Sequence, residues 1–222
     1  MKTFTEALKN QWCNTMQSHQ NADLFVQGTW LETPDHVFTD GNWAAPVRNE
    51  LYRGCFFGCA IQQTNNVLEK ASSAMQLPMW LIATAETIFE YLPPKEAVLF
   101  PVQLLNSIPT RTDITKVFHT LAIRRVEDTR KQLPELEDSP IFDQVIDYHK
   151  GTGKSLLETY QAVADCHNPE YDFLDRRTVK FLLFNLQKED AGVGTRRGLS
   201  RHTTEAAIIE RDRLLQELSK YG

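Results

Sequence analysis

Apolar residues in this chain recur every three or four positions and nowhere alternate, which restricts the fold to packed helices. Leu81, Ala85, Ile88, Phe89 and Leu92 follow the i, i+4, i+7 rule. Ile114, Val117, Phe118, Leu121 and Ala122 form a second stripe, and Phe142, Val145 and Ile146 a third that ends near Gly151. Phe173 to Leu186 predicts a further apolar helix, and Ile208, Leu214, Leu215 and Leu218 place a closing helix between Thr203 and Lys220. Pro78 suits a first helical turn, Pro93 and Pro94 stop a helix, and Ser155-Leu-Leu-Glu158 reads as a capping box. No run of β-branched residues alternates with polar ones between hairpin turns. The expected fold is all-α, a bundle of roughly eight helices. Residues 33–42 and 189–200 read as irregular connections.

A chain of 222 residues with 41% hydrophobic and 24% charged side chains has globular composition and enough apolar surface to fold without disulfides or metals. The net charge of −5 argues against a generally basic nucleic-acid binder and against a polybasic membrane protein. No window approaches the ~18 apolar residues of a membrane span, and residues 1–11 lack the apolar core of a secretory signal. Four cysteines in such a chain are expected to stay reduced, so the expected location is the cytoplasm.

The stretch Leu51-Tyr-Arg-Gly-Cys-Phe-Phe-Gly-Cys-Ala-Ile61 concentrates the chemistry. Together with its flanks it predicts one buried helix over about 47–70, central to the bundle. At about 100° per residue, Phe57, Ala60, Ile61, Thr64 and Leu68 share one face, while Arg48, Leu51, Tyr52, Cys55, Cys59 and Gln62 share the other. Gly54 and Gly58 each cost about 1 kcal/mol relative to Ala inside a helix. They leave a shallow groove where a neighbouring helix or a ligand can approach the backbone. Two inert buried thiols would meet that description. So would a small site, because Cys55 and Cys59 lie one turn apart. A closed zinc site needs two further ligands, and Cys166-His167 is the other Cys/His pair close in sequence. The spacing assigns no metal and implies no cofactor, and a redox pair would read CxxC.

Three further segments carry a resemblance. Asp23-Leu-Phe-Val-Gln-Gly-Thr-Trp30, Arg53-Gly-Cys-Phe-Phe-Gly-Cys59 and Leu77-Pro-Met-Trp through Phe89-Glu-Tyr-Leu-Pro93 are similar to a pattern found in a family of bacterial and phage-associated hypothetical proteins. That pattern runs Q-G-x-[YW], then G-C-x-x-G-C, then I-P followed by E-x-x-F-E-x-L-P. The resemblance spans residues 20–126 and includes Phe100-Pro101 and Asp113. It supports a helical core domain over 1–133; residues 134–222 find no such match and are expected to form a helical extension packed on that core. It implies no chemistry. Relatives place a His between the cysteines and the I-P step, where this chain has Thr64-Asn-Asn-Val-Leu-Glu-Lys70.

Other candidates follow from the residues alone. Glu86 and Glu90 lie one turn apart on the flank of their helix. If that flank meets the cysteine face, with Asp23 and Gln27 nearby, paired carboxyls can serve acid–base chemistry; otherwise they form a solvated face. The catalytic candidates are therefore Cys55, Cys59, Glu86, Glu90 and Asp23, and the ligand-binding candidates Gln27, Trp30, Arg48, Tyr52 and Gln62. Gly151-Thr-Gly-Lys-Ser155 resembles the end of a phosphate loop but lacks its first glycine and a preceding strand, so a plain helix–helix turn is expected. Arg176, Arg177, Lys180, Arg196 and Arg197 are basic enough to contact phosphates, although Asp172, Asp175, Glu189 and Asp190 balance them. His119 reads as a half-buried satisfied residue. The expected function is that of a binding or interaction protein, with no membrane association. The alternatives are an enzyme or metal protein at the Cys55/Cys59 face and a nucleic-acid accessory protein using the basic patch.

Overall fold

A computed structural model of the chain describes residues 4–31, 53–63, 65–133, 138–166, 182 and 203–221. These residues form ten helices: α1(Glu6–Asn21), α2(Phe56–Ile61), α3(Val67–Met75), α4(Met79–Tyr91), α5(Pro94–Ala97), α6(Phe100–Ser107), α7(Thr115–Lys131), α8(Pro140–Lys150), α9(Leu156–Asp165) and α10(Thr204–Ser219). Among the described residues there is no β-strand, and a single parallel bridge joins Phe25 to Gly54. The protein is all-α. None of the described helices is long and apolar enough to cross a membrane.

The local signals act where the sequence places them. Thr5, Ser155 and Thr203 accept hydrogen bonds from the first-turn amides of α1, α9 and α10, filling donors that a helix start leaves open. Ser155 and Glu158 form the complete capping box. Gly151 ends α8 with φ 72°, the left-handed conformation that glycine adopts without a Cβ penalty.

The expected continuous helix over 47–70 does not form. Residues 47–52 lie outside the described residues. From Arg53 onward, Gly54 is extended and paired with Phe25, and α2 is six residues long. Gln62 ends α2 with φ 51°, and Asn66 precedes α3 with φ 48°. Two left-handed residues so close together turn the chain back, and α3 packs against α2 rather than extending it. The helix buried on nearly all sides is α4, where every residue from Trp80 to Phe89 is buried. The Phe173–Leu186 helix expectation falls outside the described residues, apart from Leu182, which is buried.

Two apolar clusters result. The larger joins α1, α2, α3, α4, α6, the front of α7 and α10, with Phe56, Phe57, Phe89, Phe100, Leu81 and Leu104 among its fully buried side chains. The smaller joins Val126 at the back of α7 to Phe142 and Val145 of α8, Val163 of α9 and Leu182. Helix α7 therefore runs through both. α10 closes the larger cluster with Ala207, Leu214 and Leu218, and Arg125 of α7 reaches Glu210 of α10 at 2.5 Å in a buried ion pair.

Candidate functional site

The residues that converge belong to three elements: the segment after α1, the start of α2 and the end of α4. Asp23 turns the chain out of α1 with φ 53°. Phe25 then pairs with Gly54: Val26 N–H donates to the Gly54 carbonyl at 2.8 Å and Gly54 N–H to the Leu24 carbonyl at 3.0 Å. Cys55 N–H donates to the Thr29 carbonyl at 2.8 Å. A short extended strap over residues 24–31 is thereby laid across the N-terminus of α2.

The two glycines of the cysteine stretch exist for this strap. A Cβ at Gly54 or Gly58 would sit closer than 3.0 Å to the Trp30 carbonyl. The groove expected on the cysteine side is real, and it is filled by the chain's own backbone. Trp30 itself stays 37% exposed, so its backbone is wedged while its residue surface faces out.

Helix α4 supplies the other half. Its C-terminal turn is followed by Pro93, which has no N–H to give the Phe89 carbonyl four residues back. Gln27 fills that place: its Nε2 donates to the Phe89 carbonyl at 2.5 Å and to the Leu92 carbonyl at 2.8 Å. Beside it, Gly28 N–H donates to Glu90 Oε2 at 2.6 Å. Gly28 has φ 86°, which holds its amide at that turn in a conformation other residues adopt only with strain.

Beneath Glu90 lies a buried polar chain. Glu86 is 3% exposed, and Cys55 and Glu90 are near enough to act on its carboxyl. The expectation of a solvated flank is thus corrected for Glu86. Helix α4 is buried from Trp80 to Phe89, and Cys55 at the start of α2 comes near this carboxyl. Burial and the nearby Glu90 charge hold the Glu86 carboxyl well above the ordinary carboxylate range, and Cys55 opposes them. Its Oε2 is buried and has no hydrogen-bond partner.

The thiols are spent on structure. Cys55 is the N-cap of α2, and its Sγ accepts from Gly58 N–H at 3.2 Å. Burial, then the Glu86 charge, push the Cys55 thiol well above its usual range, against the Gly58 hydrogen bond. The Cys59 Sγ lies 3.5 Å from the Leu24 and Gly54 carbonyls, bridging strap and helix. A buried, protonated thiol is a poor nucleophile and a poor metal ligand. Among the described residues no three His, Cys, Asp or Glu side chains gather as a metal site. Cys166 donates to the Ala162 carbonyl of its own helix at 3.2 Å.

The structure thus brings together Cys55, Cys59, Glu86, Glu90, Gln27 and the Trp30 backbone. Asp23 is exposed and serves as a turn residue, and Gln62 is exposed at the end of α2, its N–H donating to the Gly58 carbonyl at 2.8 Å. Arg48, Tyr52, Arg176, Arg177, Lys180, Arg196 and Arg197 lie outside the described residues. The turn at 151–155 joins α8 to α9 with no strand before it, and Ser155 is used as a cap.

Sequence reasoning passed over two features. Gly28 is signalled only by its place beside Gln27, since nothing local says that its amide meets a carboxylate 62 positions away. The second is a histidine pair: His119 of α7 and His149 of α8 meet with Nδ1 atoms 2.9 Å apart and ring centroids 5.2 Å apart. In an imidazole the ring nitrogen lies a little over 1 Å from the centroid, so those two distances put the nitrogens nearly head-on. That is the geometry of an N–H···N bond and not of two lone pairs converging on one metal.

Comparison with known proteins adds no relative: no family model, no curated protein and no solved structure matches the chain.

Proposed function

We propose that this chain is a binding protein whose contact point is the strap over residues 24–31, with Trp30 as the anchor for a protein partner. One observation carries the reading. Trp30 is an exposed aromatic residue on a backbone fixed from three sides, by Gly54 and Gly58 beneath it, by the Cys55–Thr29 hydrogen bond, and by the Gln27 and Gly28 contacts to α4. Tryptophan dominates binding hot spots, and a preorganised backbone removes the ordering cost that weakens most loop contacts. The thiol-enzyme and metal alternatives lose support from the buried, internally bonded thiols.

The test is photo-crosslinking. A photoreactive aromatic residue replaces Trp30, and a control places the same group at exposed Lys116. Position 30 is expected to capture one partner that position 116 does not. With that partner purified, Trp30→Ala is expected to weaken binding by about 2 kcal/mol, roughly thirtyfold, while unfolding stability stays within about 0.5 kcal/mol. Equal capture at both positions, or unchanged affinity in Trp30→Ala, would overturn the reading.

A further inference from the structure

We propose that the His119–His149 bridge is an acid-released clasp: taking up a second proton parts the two rings and frees the last turn of α8 from α7. The bridge has one hydrogen to share. Its Nδ1 atoms are 2.9 Å apart and nearly head-on, so one nitrogen donates and the other accepts. One added proton leaves that arrangement whole, because an imidazolium still donates to a neutral imidazole. A second puts a hydrogen on both Nδ1 atoms and a positive charge on both rings. Neither nitrogen then accepts, and 2.9 Å is too short for two N–H groups aimed at one another.

The surroundings leave separation as the relief. His149 is buried, with the edges or faces of Phe118 and Tyr148 at ring distances of 5.7 and 5.0 Å. His119 is half-buried, with Phe118 at 5.5 Å and Tyr148 at 6.3 Å. Apolar rings solvate two adjacent cations poorly. At the other end of the two helices Arg130 of α7 holds Asp143 of α8 at 2.8 Å. The opening therefore pivots at that end, and the last turn of α8 swings. The turn at 151–155 and the start of α9, with exposed Leu156 and Leu157, swing with it.

The charged groups on the described elements around the pair are engaged or exposed. On α7, Lys116 lies one turn before His119 and is exposed, and Asp113 accepts from Thr115 N–H at the helix start. On α8, Lys150 is exposed and Asp147 and Tyr148 are half-buried. Helix α9 brings exposed Glu158 and Asp165 and half-buried Tyr160. Helix α10 brings Glu210, Glu217 and Arg213, which meet Arg125, Arg124 and Asp128 more than a turn further along α7. Helix α4 meets Phe118 through Trp80, which does not ionise.

None of these residues belongs to the strap, so the test is separate from that of Trp30. The whole chain, labelled with nitrogen-15, is studied by NMR. At about pH 7.5 a coupling between the two Nδ1 nuclei through the shared hydrogen is expected, and its absence would overturn the proposal. Amide exchange is then followed from about pH 7.5 to about pH 5, across the ordinary histidine value, and corrected for the chemical exchange rate. Protection over residues 146–150 is expected to fall about tenfold relative to α4. His119→Asn sets a carboxamide near the place of Nδ1, and its oxygen accepts from His149 in either charge state. Its protection is expected to stay level with pH. Level protection in the native chain, or the same acid loss in His119→Asn, would also overturn the proposal. Should that variant not fold, the native chain decides alone. Coupling and α8 protection lost together on acidification support the clasp, and coupling that survives the loss of protection refutes it.

Discussion

The glycines are the residues on which the site most depends, and they depend on it for different reasons. Gly58 is required for space: a Cβ there meets the Trp30 carbonyl, which is backbone and has no rotamer to escape into. Gly58→Ala is expected to displace the strap and destabilise by about 2–3 kcal/mol, read as a lower urea midpoint. Gly28 is required for its φ of 86°, and a Cβ there meets nothing within 4 Å. Gly28→Ala is expected to cost only about 1 kcal/mol, all of it backbone strain. Glu86 sets a sign. Its carboxyl keeps its proton to higher pH in the folded chain than in the unfolded one, because burial and then Glu90 raise its folded value. The stabilisation is therefore whole below the ordinary carboxyl value and is lost as pH rises towards the raised one. Urea midpoints taken across that window are expected to fall with pH in the native chain and to fall less in Glu86→Gln.

At the scale of elements, the end of α4 explains why the strap lies where it does. Pro93 leaves the Phe89 carbonyl without a helical donor, and Gln27 supplies one from outside the helix. Gln27→Ala leaves the Phe89 and Leu92 carbonyls unanswered and is expected to cost about 1–2 kcal/mol, with exchange protection lost over residues 24–31 but kept in α1. The stop signal at Pro93 and Pro94 was readable in the sequence. What answered it was not, because the donor lies 62 residues away. The cysteine stretch shows the opposite case. Its burial was legible from its apolar content, and Cys55, Phe56, Phe57 and Cys59 are all buried. Its length was not, because Gln62 and Asn66 adopt left-handed backbone and neither is glycine. Propensity carries little warning of left-handed backbone at a residue other than glycine.

Across the whole molecule, α10 ties the chain's end to its core. Arg125 and Glu210 are both buried and bonded at 2.5 Å, with Thr84 of α4 3.5 Å from the same guanidinium. Around them Arg124 meets Glu217 at 2.7 Å, and Arg213 and Arg211 engage Asp128 and Glu96. The exposed pairs contribute little, but a buried charge left alone is costly. Glu210→Ala is expected to destabilise by about 3–5 kcal/mol. Arg125→Met combined with Glu210→Leu is expected to recover most of that loss, and a double-mutant cycle in urea measures the difference.

The all-α class and the bounds of α4, α9 and α10 follow from the sequence alone, because apolar spacing, caps and prolines act within one or two turns of the residues that show them. The candidate chemistry was present there too, as two thiols, two carboxyls and a glutamine. Which of these meet was decided only by tertiary structure. The strap, α2 and α4 are separated along the chain, and their contact depends on a backbone carbonyl fitting where two side chains are missing. That fit turned a solvated glutamate into a buried acid and two candidate nucleophiles into helix caps and bridges, since a side chain's charge and reactivity are set by what surrounds it in space.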